Sequence, residues 1–491
     1  MATENTHFGA KAIGEMLRTC KSVFFIGVGG VNMSSLALIT KARGFRVGGS
    51  DRTRSEVTER LSEQGIEVFY SHDARHVEDC DAVVYTVAIS PDNPEYVRAK
   101  ERGLPLISRS DYLGYLMTDY QNRIGISGMH GKSTTTSMCA QIFMSANAYP
   151  TVLSGAAMRS MGGAYRIGGE KHFIFEACEY MDSFLDFYPS IAVILNVEMD
   201  HVDYFKSMEH IRRSFRAFAE KTSPDGFAVV NADDANIKEA LDGFAGRVVR
   251  FSVKDPRADF YATNLGEDHG RPCFDIFAFG KLFCHAALRV TGKHNVYNAL
   301  ASAAAAYLCG LGGEDVARGL ADFRGAQRRM EYKGSFAGAE VYDDYGHHPT
   351  EVKTTLEGAA AMGYRRTLCI FQPHTYSRTI GLFDEFLGAF GAADEVIVAD
   401  IYAAREPDTG EVSAKKLAEA LPNGKYVGDL DAIVAYLGET LRAGDLLLVM
   451  GAGDVYKIFE KPRLATFFRK NLSTLSTAII VVILFLNLLN I

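Results

Sequence analysis

The sequence predicts an α/β chain of three domains in series. Two observations carry that expectation. Short, wholly apolar runs recur along the chain and each ends in a glycine-rich or polar turn, as strands buried on both faces of a parallel sheet do. One of those turns, Gly128-Met129-His130-Gly131-Lys132-Ser133, lies between an apolar segment (residues 123–127) and a helix-forming run (residues 134–144). At 491 residues there is chain enough for about three cores.

The first expected domain, residues 1–121, is Rossmann-like. A strand at Val23-Phe24-Phe25-Ile26 runs into Gly27-Val28-Gly29-Gly30-Val31-Asn32 and a helix through Ala42. A second strand, Arg46 to Gly49, ends at Ser50-Asp51. This is a βαβ unit with an acid after its second strand, although the third glycine of the dinucleotide fingerprint is Asn32. A further strand, Ala82 to Thr86, ends in Ala88-Ile89-Ser90-Pro91, a polar loop able to meet a ligand.

The second, residues 122–328, is a P-loop-type domain on a parallel sheet. A glycine turn between strand and helix lets backbone N–H groups close around phosphate oxygens, a lysine there reaches the terminal phosphates, and a serine hydroxyl can ligate Mg²⁺. The spacing is short, with two residues between the glycines rather than four. The strands at 172–175 and 191–195 run into Glu176-Ala177-Cys178-Glu179 and Asn196-Val197-Glu198-Met199-Asp200-His201. Ligands gather at the carboxyl ends of parallel strands, so Lys132, Glu176 and His201 are expected to face one crevice and form a metal–nucleotide site.

The third, residues 329–463, is again Rossmann-like. Its strands end at Asp343-Asp344-Tyr345-Gly346-His347-His348-Pro349, at Gln372-Pro373-His374-Thr375-Tyr376-Ser377-Arg378, at Asp400 and at Gly451-Ala452-Gly453-Asp454. The connector Gln327-Arg328-Arg329-Met330 can carry cations to a phosphate when domains close.

Composition narrows the function classes. A net charge of −8, with no basic stripe interleaved with aromatics, excludes a nucleic-acid-wrapping surface. Eight cysteines without a CxxC pair read as reduced thiols of a cytoplasmic protein. The first residues, with Glu4 and no apolar run, lack the pattern of a signal peptide. Residues 471–491 form a hydrophobic tail: from Thr477 there is no charge, and Lys461, Arg463, Arg469 and Lys470 precede it. Basic residues before an apolar stretch suit attachment to the inner face of a membrane by residues 473–491, yet the apolar run is short of the ~20 residues of a spanning helix.

In order along residues 20–460 stand GVGGVNMS, GMHGKST, EACE, NVEMDH, KHNVYNA, QRRME, DDYGHHPTE, FQPHTYSRT and MGAGDV. With these motifs the chain resembles the Mur ligase family. The resemblance implies a cytoplasmic enzyme of peptidoglycan synthesis that uses ATP and Mg²⁺ to join L-alanine to the lactyl carboxylate of UDP-N-acetylmuramate. By the same resemblance Gly128, Met129, His130, Gly131, Lys132, Ser133 and Thr134 would enclose the triphosphate. Ser133 and Glu176 would hold one Mg²⁺, and His201 a second. His294, Asn295 and Asn298 would lie beside the adenine, and Arg329 would approach the phosphates on closure. Tyr345, His347, His374 and Arg378 would serve the amino acid and the nucleotide, with Arg378 as carboxylate clamp. Gly29, Gly30, Asp51 and Ser90 would hold the UDP-sugar. Two other readings remain open: a sibling ligase that adds a preformed peptide to the same sugar nucleotide, and a P-loop homologue without ligase activity.

Overall fold

The computed structural model describes residues 3–462 except Asp203 and Arg405, together with Leu464. Three sheets succeed one another along the chain, each with helices against it. In the first, the strands lie in the order Glu67–Phe69, Arg46–Ser50, Ser22–Ile26, Ala82–Tyr85, Leu106–Ser108, and every pair is parallel. Ser22–Ile26 is buried from end to end, which is why its residues are nearly all apolar. The strand order reverses on either side of it. Its carboxyl end, at Gly27 to Gly30, is therefore the switch-point crevice where such sheets bind ligands.

The second sheet differs from the expected parallel one at both ends. Its order is Lys281–Ala287, Arg271–Ala278, Phe260–Asp268, Val248–Ser252, Phe227–Asn231, Ile191–Ile194, Asn122–Ser127, His172–Glu176, Thr151–Met158, Gly163–Arg166. From Phe260–Asp268 to Thr151–Met158 all pairs are parallel. The first three strands, however, form an antiparallel meander, and Gly163–Arg166 folds back on its predecessor. The cause is local. Tight turns at Gly270 (φ 72°) and Gly280 (φ 75°) leave no room for a crossover helix. Burial along Arg271–Ala278 alternates, as expected for a sheet with one face in water.

Helices Lys132–Ser145 and His294–Leu308 pack against each other over the phosphate-loop end of this sheet. The second is lined with buried alanines from Ala299 to Ala306, which lets the two backbones come close. In the third sheet the order is Glu331–Phe336, Ala339–Asp344, Asp445–Met450, Arg366–Phe371, Glu395–Val398, Gly424–Lys425. Only the first pair is antiparallel. The arginine-rich connector is tied to this sheet, since the Tyr345 N–H donates to the Arg328 carbonyl (2.7 Å) and the Met330 N–H to Asp344 (2.8 Å).

All eight cysteines are free thiols. Among the described residues no helix is long and apolar enough to cross a membrane. The hydrophobic segment 471–491 lies outside the described residues.

Candidate functional site

The phosphate loop follows strand Asn122–Ser127 and ends where helix Lys132–Ser145 begins. Its two glycines are needed for space as well as for conformation. Gly128 has φ 140° and Gly131 φ 81°. A Cβ on Gly131 would lie 3.0 Å from the Asn298 Oδ1, and one on Gly128 would lie 3.0 Å from the Leu195 Cβ. Asn196 pins the loop from the neighbouring strand end. Its Oδ1 accepts from the His130 N–H (2.9 Å) and its Nδ2 donates to the His130 carbonyl (3.0 Å).

Lys132 Nζ donates to the carbonyls of Gly128 (2.6 Å) and Met129 (3.0 Å) and pairs with Glu179 at 3.0 Å. Burial opposes the ammonium charge, but Glu179 outweighs it and the pKa of Lys132 rises. Ser133 Oγ donates to Glu176 Oε2 at 2.7 Å, and the same oxygen accepts the Gly155 N–H at 2.9 Å. Two oxygen donors so close are a donor set for a hard cation. His201 stands elsewhere: its Nε2 faces Glu179 at 3.3 Å, and its ring lies against Tyr180 at 4.8 Å between centroids. Glu179, fully buried, thus joins Lys132 to His201. It belongs to the same EACE motif as Glu176, three residues on, and the motif alone does not say which acid serves which partner.

A cavity of about 200 Å³ opens beside the loop, between the second and third domains. Asn295 and Asn298 line it and are bonded to each other (2.9 Å), with Asn295 also donating to the Thr291 carbonyl (2.7 Å). His294 lies there too. Burial and then the neighbouring Arg329 push its pKa down to about 4, so its imidazole is neutral at pH 7. Arg329 faces Glu351 at 3.5 Å and the Tyr345 ring at 5.2 Å. Thr134 lines the same cavity, as do Asn231 and Tyr297, which sequence reasoning did not single out.

Tyr345, His347, His374 and Arg378 come together in the third domain. The rings of Tyr345 and His347 are 5.5 Å apart, those of His347 and His374 5.8 Å, and His374 stacks on Tyr402 at 5.5 Å. Arg378 is buried, and the carboxylate it meets is Asp200 of the second domain, Nε to Oδ1 at 3.0 Å. Its Nη1 donates to the His374 carbonyl at 2.6 Å. Burial works against charge on Asp200, but Arg378 and His201 hold it ionised far below the usual carboxylate range. Burial also pushes His347 down to about 3.

In the first domain Asp51 Oδ2 accepts the Gly29 N–H (2.9 Å), and a Cβ on Gly29 would fall 2.7 Å from that oxygen. The acid after the second strand therefore closes the glycine turn itself. The Gly30 N–H donates to the Gly27 carbonyl (3.2 Å). Ser90 is half-buried on the loop after Ala82–Tyr85, at the same edge of the sheet, with its carbonyl accepting from the Asn93 N–H (3.0 Å).

The buried neutral imidazoles predict an acid-labile fold. His294, His347 and His172, the last also pushed down to about 4 by burial, take up protons on unfolding, because an unfolded histidine has a pKa of about 6.5. Unfolding then binds protons between these values, so stability falls as pH drops through that window. Asp343, raised to about 6 by burial, and His130, raised by its glutamates, act the other way, but three rings outweigh two groups, so the melting temperature should decline from pH 7 to pH 5; a flat profile would contradict the burial of these rings.

A cleft of this kind, with a phosphate loop and an oxygen pair on one wall and an arginine among imidazoles on the other, suits enzymes that activate a carboxylate with a nucleoside triphosphate and pass it to an amine. Comparison with known proteins agrees with that class. Residues 22–121 match the Mur ligase family catalytic domain, 126–306 the Mur ligase middle domain, and 328–453 the Mur ligase glutamate ligase domain. The chain belongs to the Mur ligase family, ATP-dependent carbon–nitrogen ligases. It is 45% identical to the UDP-N-acetylmuramate–L-alanine ligase of Caldanaerobacter subterraneus subsp. tengcongensis, over 91% of this chain and 98% of that one. With the enzyme of the same name from Clostridium novyi it is 44% identical, over 90% and 96%. The crystal structure of UDP-N-acetylmuramate-alanine ligase from Thermotoga maritima superposes with a TM-score of 0.74 at 28% identity, covering 92% of this chain and 99% of that one.

Proposed function

We propose that the protein joins L-alanine to UDP-N-acetylmuramate with hydrolysis of ATP to ADP and phosphate, through an acyl phosphate. The observation that carries this reading is the Arg378–Asp200 contact, which brings the imidazole and arginine cluster of the third domain against the residue preceding His201, beside the phosphate loop. Relatives that bear this activity in their names, similar over nine-tenths of the chain, support it.

In this reading residues 1–121 bind the UDP-sugar through Gly29, Gly30, Asp51 and Ser90. Residues 122–328 bind ATP, and residues 329–463 bind the amino acid. The lactyl carboxylate attacks the γ-phosphorus as the bond to ADP breaks. The alanine amine then attacks the acyl carbon, and phosphate leaves. Lys132 neutralises charge on the transferring phosphoryl group, a reaction that depends on positioning and electrostatics more than on covalent help from the protein. Ser133 and Glu176, 2.7 Å apart, fit a Mg²⁺ ion, which when bound offsets charge on the phosphate oxygens. His201, with Glu179 3.3 Å from its Nε2, would hold a second ion. Arg329 approaches the phosphates across the cavity, and His294, Asn295 and Asn298 lie toward the base. Arg378 presents Nη2 to the alanine carboxylate, because Nε and Nη1 are already committed.

Phosphate release measured with UDP-N-acetylmuramate and ATP tests the reading. It should depend on added L-alanine and be absent with a preformed tripeptide. Release with the peptide alone would assign the sibling activity, and none with either would leave a non-ligating homologue.

The body of the protein works in the cytoplasm, and residues 473–491 give loose attachment to the inner face of the membrane. A chain ending at Lys470 should keep full ligase activity and leave the membrane fraction on cell fractionation. If full-length and shortened proteins both stay in the detergent-free soluble fraction, the segment has another use.

A further inference from the structure

The His130 side chain points away from the loop that carries it. With its backbone held on both sides by Asn196, its ring reaches the third domain and lies 4.5 Å from the His348 ring. Its Nε2 is buried, without a hydrogen bond among the described residues, and faces Glu198 of the second domain at 3.6 Å. Its Nδ1 faces Glu351 of the third domain at 3.5 Å. These distances are ion pairs, too long for hydrogen bonds. Burial disfavours charge on the ring, but Glu198 and Glu351 outweigh it and raise the pKa to about 10.

Around this point the two domains are joined by short polar contacts. Thr350 Oγ1 donates to Glu198 (2.8 Å), and His348 Nε2 meets the Met199 carbonyl at 3.1 Å. Glu351 is fixed in turn by the N–H groups of His347 (3.0 Å) and His348 (3.3 Å) at the start of helix Pro349–Ala360. The donor atoms of His130, Glu198 and His348 lie within 4.8 Å of one another, as a metal site would require. His348 is nonetheless already spent: Nε2 donates to Met199, so Nδ1 is the acceptor for the Thr350 N–H (3.3 Å) and has no lone pair left for a cation.

We infer that His130 is a positioning residue, an imidazolium clasp between Glu198 and Glu351 that ties the phosphate loop to the acceptor domain in the closed cleft. An acyl phosphate exposed to water is lost to hydrolysis, so transfer to the amine needs the loop and the acceptor domain closed together. The backbone of His130 shapes the phosphate cradle, and its side chain couples that cradle to closure. The kinetic part of this inference rests on the ligase reading above; the structural part does not.

The test uses the full chain and a double-mutant cycle of His130→Gln and Glu198→Gln. Each single change should raise the KM for L-alanine about tenfold, the size of a coupling between residues in contact, and leave UDP-N-acetylmuramate affinity by calorimetry unchanged. The double variant should be no worse than the poorer single one. X-ray scattering with a non-hydrolysable ATP analogue should show a larger radius of gyration for both variants than for the unmodified protein. Additive effects, or a loss of kcat with every KM and the radius unchanged, would overturn the clasp, the latter by placing His130 on the reacting phosphate. If His130→Gln fails to fold by circular dichroism, Glu198→Gln carries the same readouts from outside the loop. An unmodified protein that closes on nucleotide but releases no alanine-dependent phosphate defeats the ligase reading, and the scattering comparison then still decides the clasp.

Discussion

Replacing Lys132 with alanine should abolish ligation while leaving UDP-sugar binding intact. The ammonium sits over the Gly128 and Met129 carbonyls, where the transferring phosphoryl group would gather charge in the proposed reaction, and no other side chain of the loop is cationic apart from His130. Loss of a preorganised donor of this sort typically costs ~10²–10³-fold in rate. The change also strips Glu179, fully buried, of its ion-pair partner and leaves it only His201. A modest fall in melting temperature should therefore accompany the loss of turnover. Steady-state phosphate release together with calorimetry for the UDP-sugar separates the two effects. A variant with near-normal turnover would remove Lys132 from the chemistry.

Arg378→Ala should be the second severe change, for two reasons that can be told apart. It removes the cation expected to hold the amino-acid carboxylate, so the KM for L-alanine should rise far more than that for ATP. Hydrogen bonds to charged groups are worth about 1.5–3 kcal/mol, which corresponds to roughly tenfold or more. It also leaves Asp200 buried without its cation, and breaking such a pair from one side typically costs about 3–5 kcal/mol. A second substitution, Asp200→Asn, removes the stranded charge. The double variant should regain most of the melting temperature lost by Arg378→Ala without regaining affinity for alanine. Equal changes in both Michaelis constants would move Arg378 to a structural or nucleotide role.

Much of this architecture can be read from the chain because parallel strands announce themselves. Val23 to Ile26, Ile191 to Ile194 and Leu446 to Val449 are apolar throughout since both faces are covered, and each is found as part of a buried strand. The strand-to-helix turn from Gly128 to Gly131 is equally legible, since its glycines stand between an apolar run and a helix-forming one. The antiparallel meander from Phe260 to Ala287 is not. Burial alternates along Arg271–Ala278, while Phe260–Asp268 is exposed over its last five residues, and such half-exposed runs resemble loop composition. Partners across domains are harder still. That Arg378 would meet Asp200, or that the His130 side chain would reach Glu351, depends on how two sheets face each other, which no local pattern encodes. Asn196 was visible in its motif, but only the loop geometry shows that it binds the His130 backbone from both sides.

A single oxygen of Asp200, Oδ1, accepts from both the Arg378 Nε–H (3.0 Å) and the His201 N–H (2.6 Å). Because one oxygen carries both bonds, a shift of helix Tyr376–Gly381 is felt at the residue beside His201 without passing through any further side chain. The second and third domains are thus keyed together at one atom, and parting them would leave that buried carboxylate without its arginine.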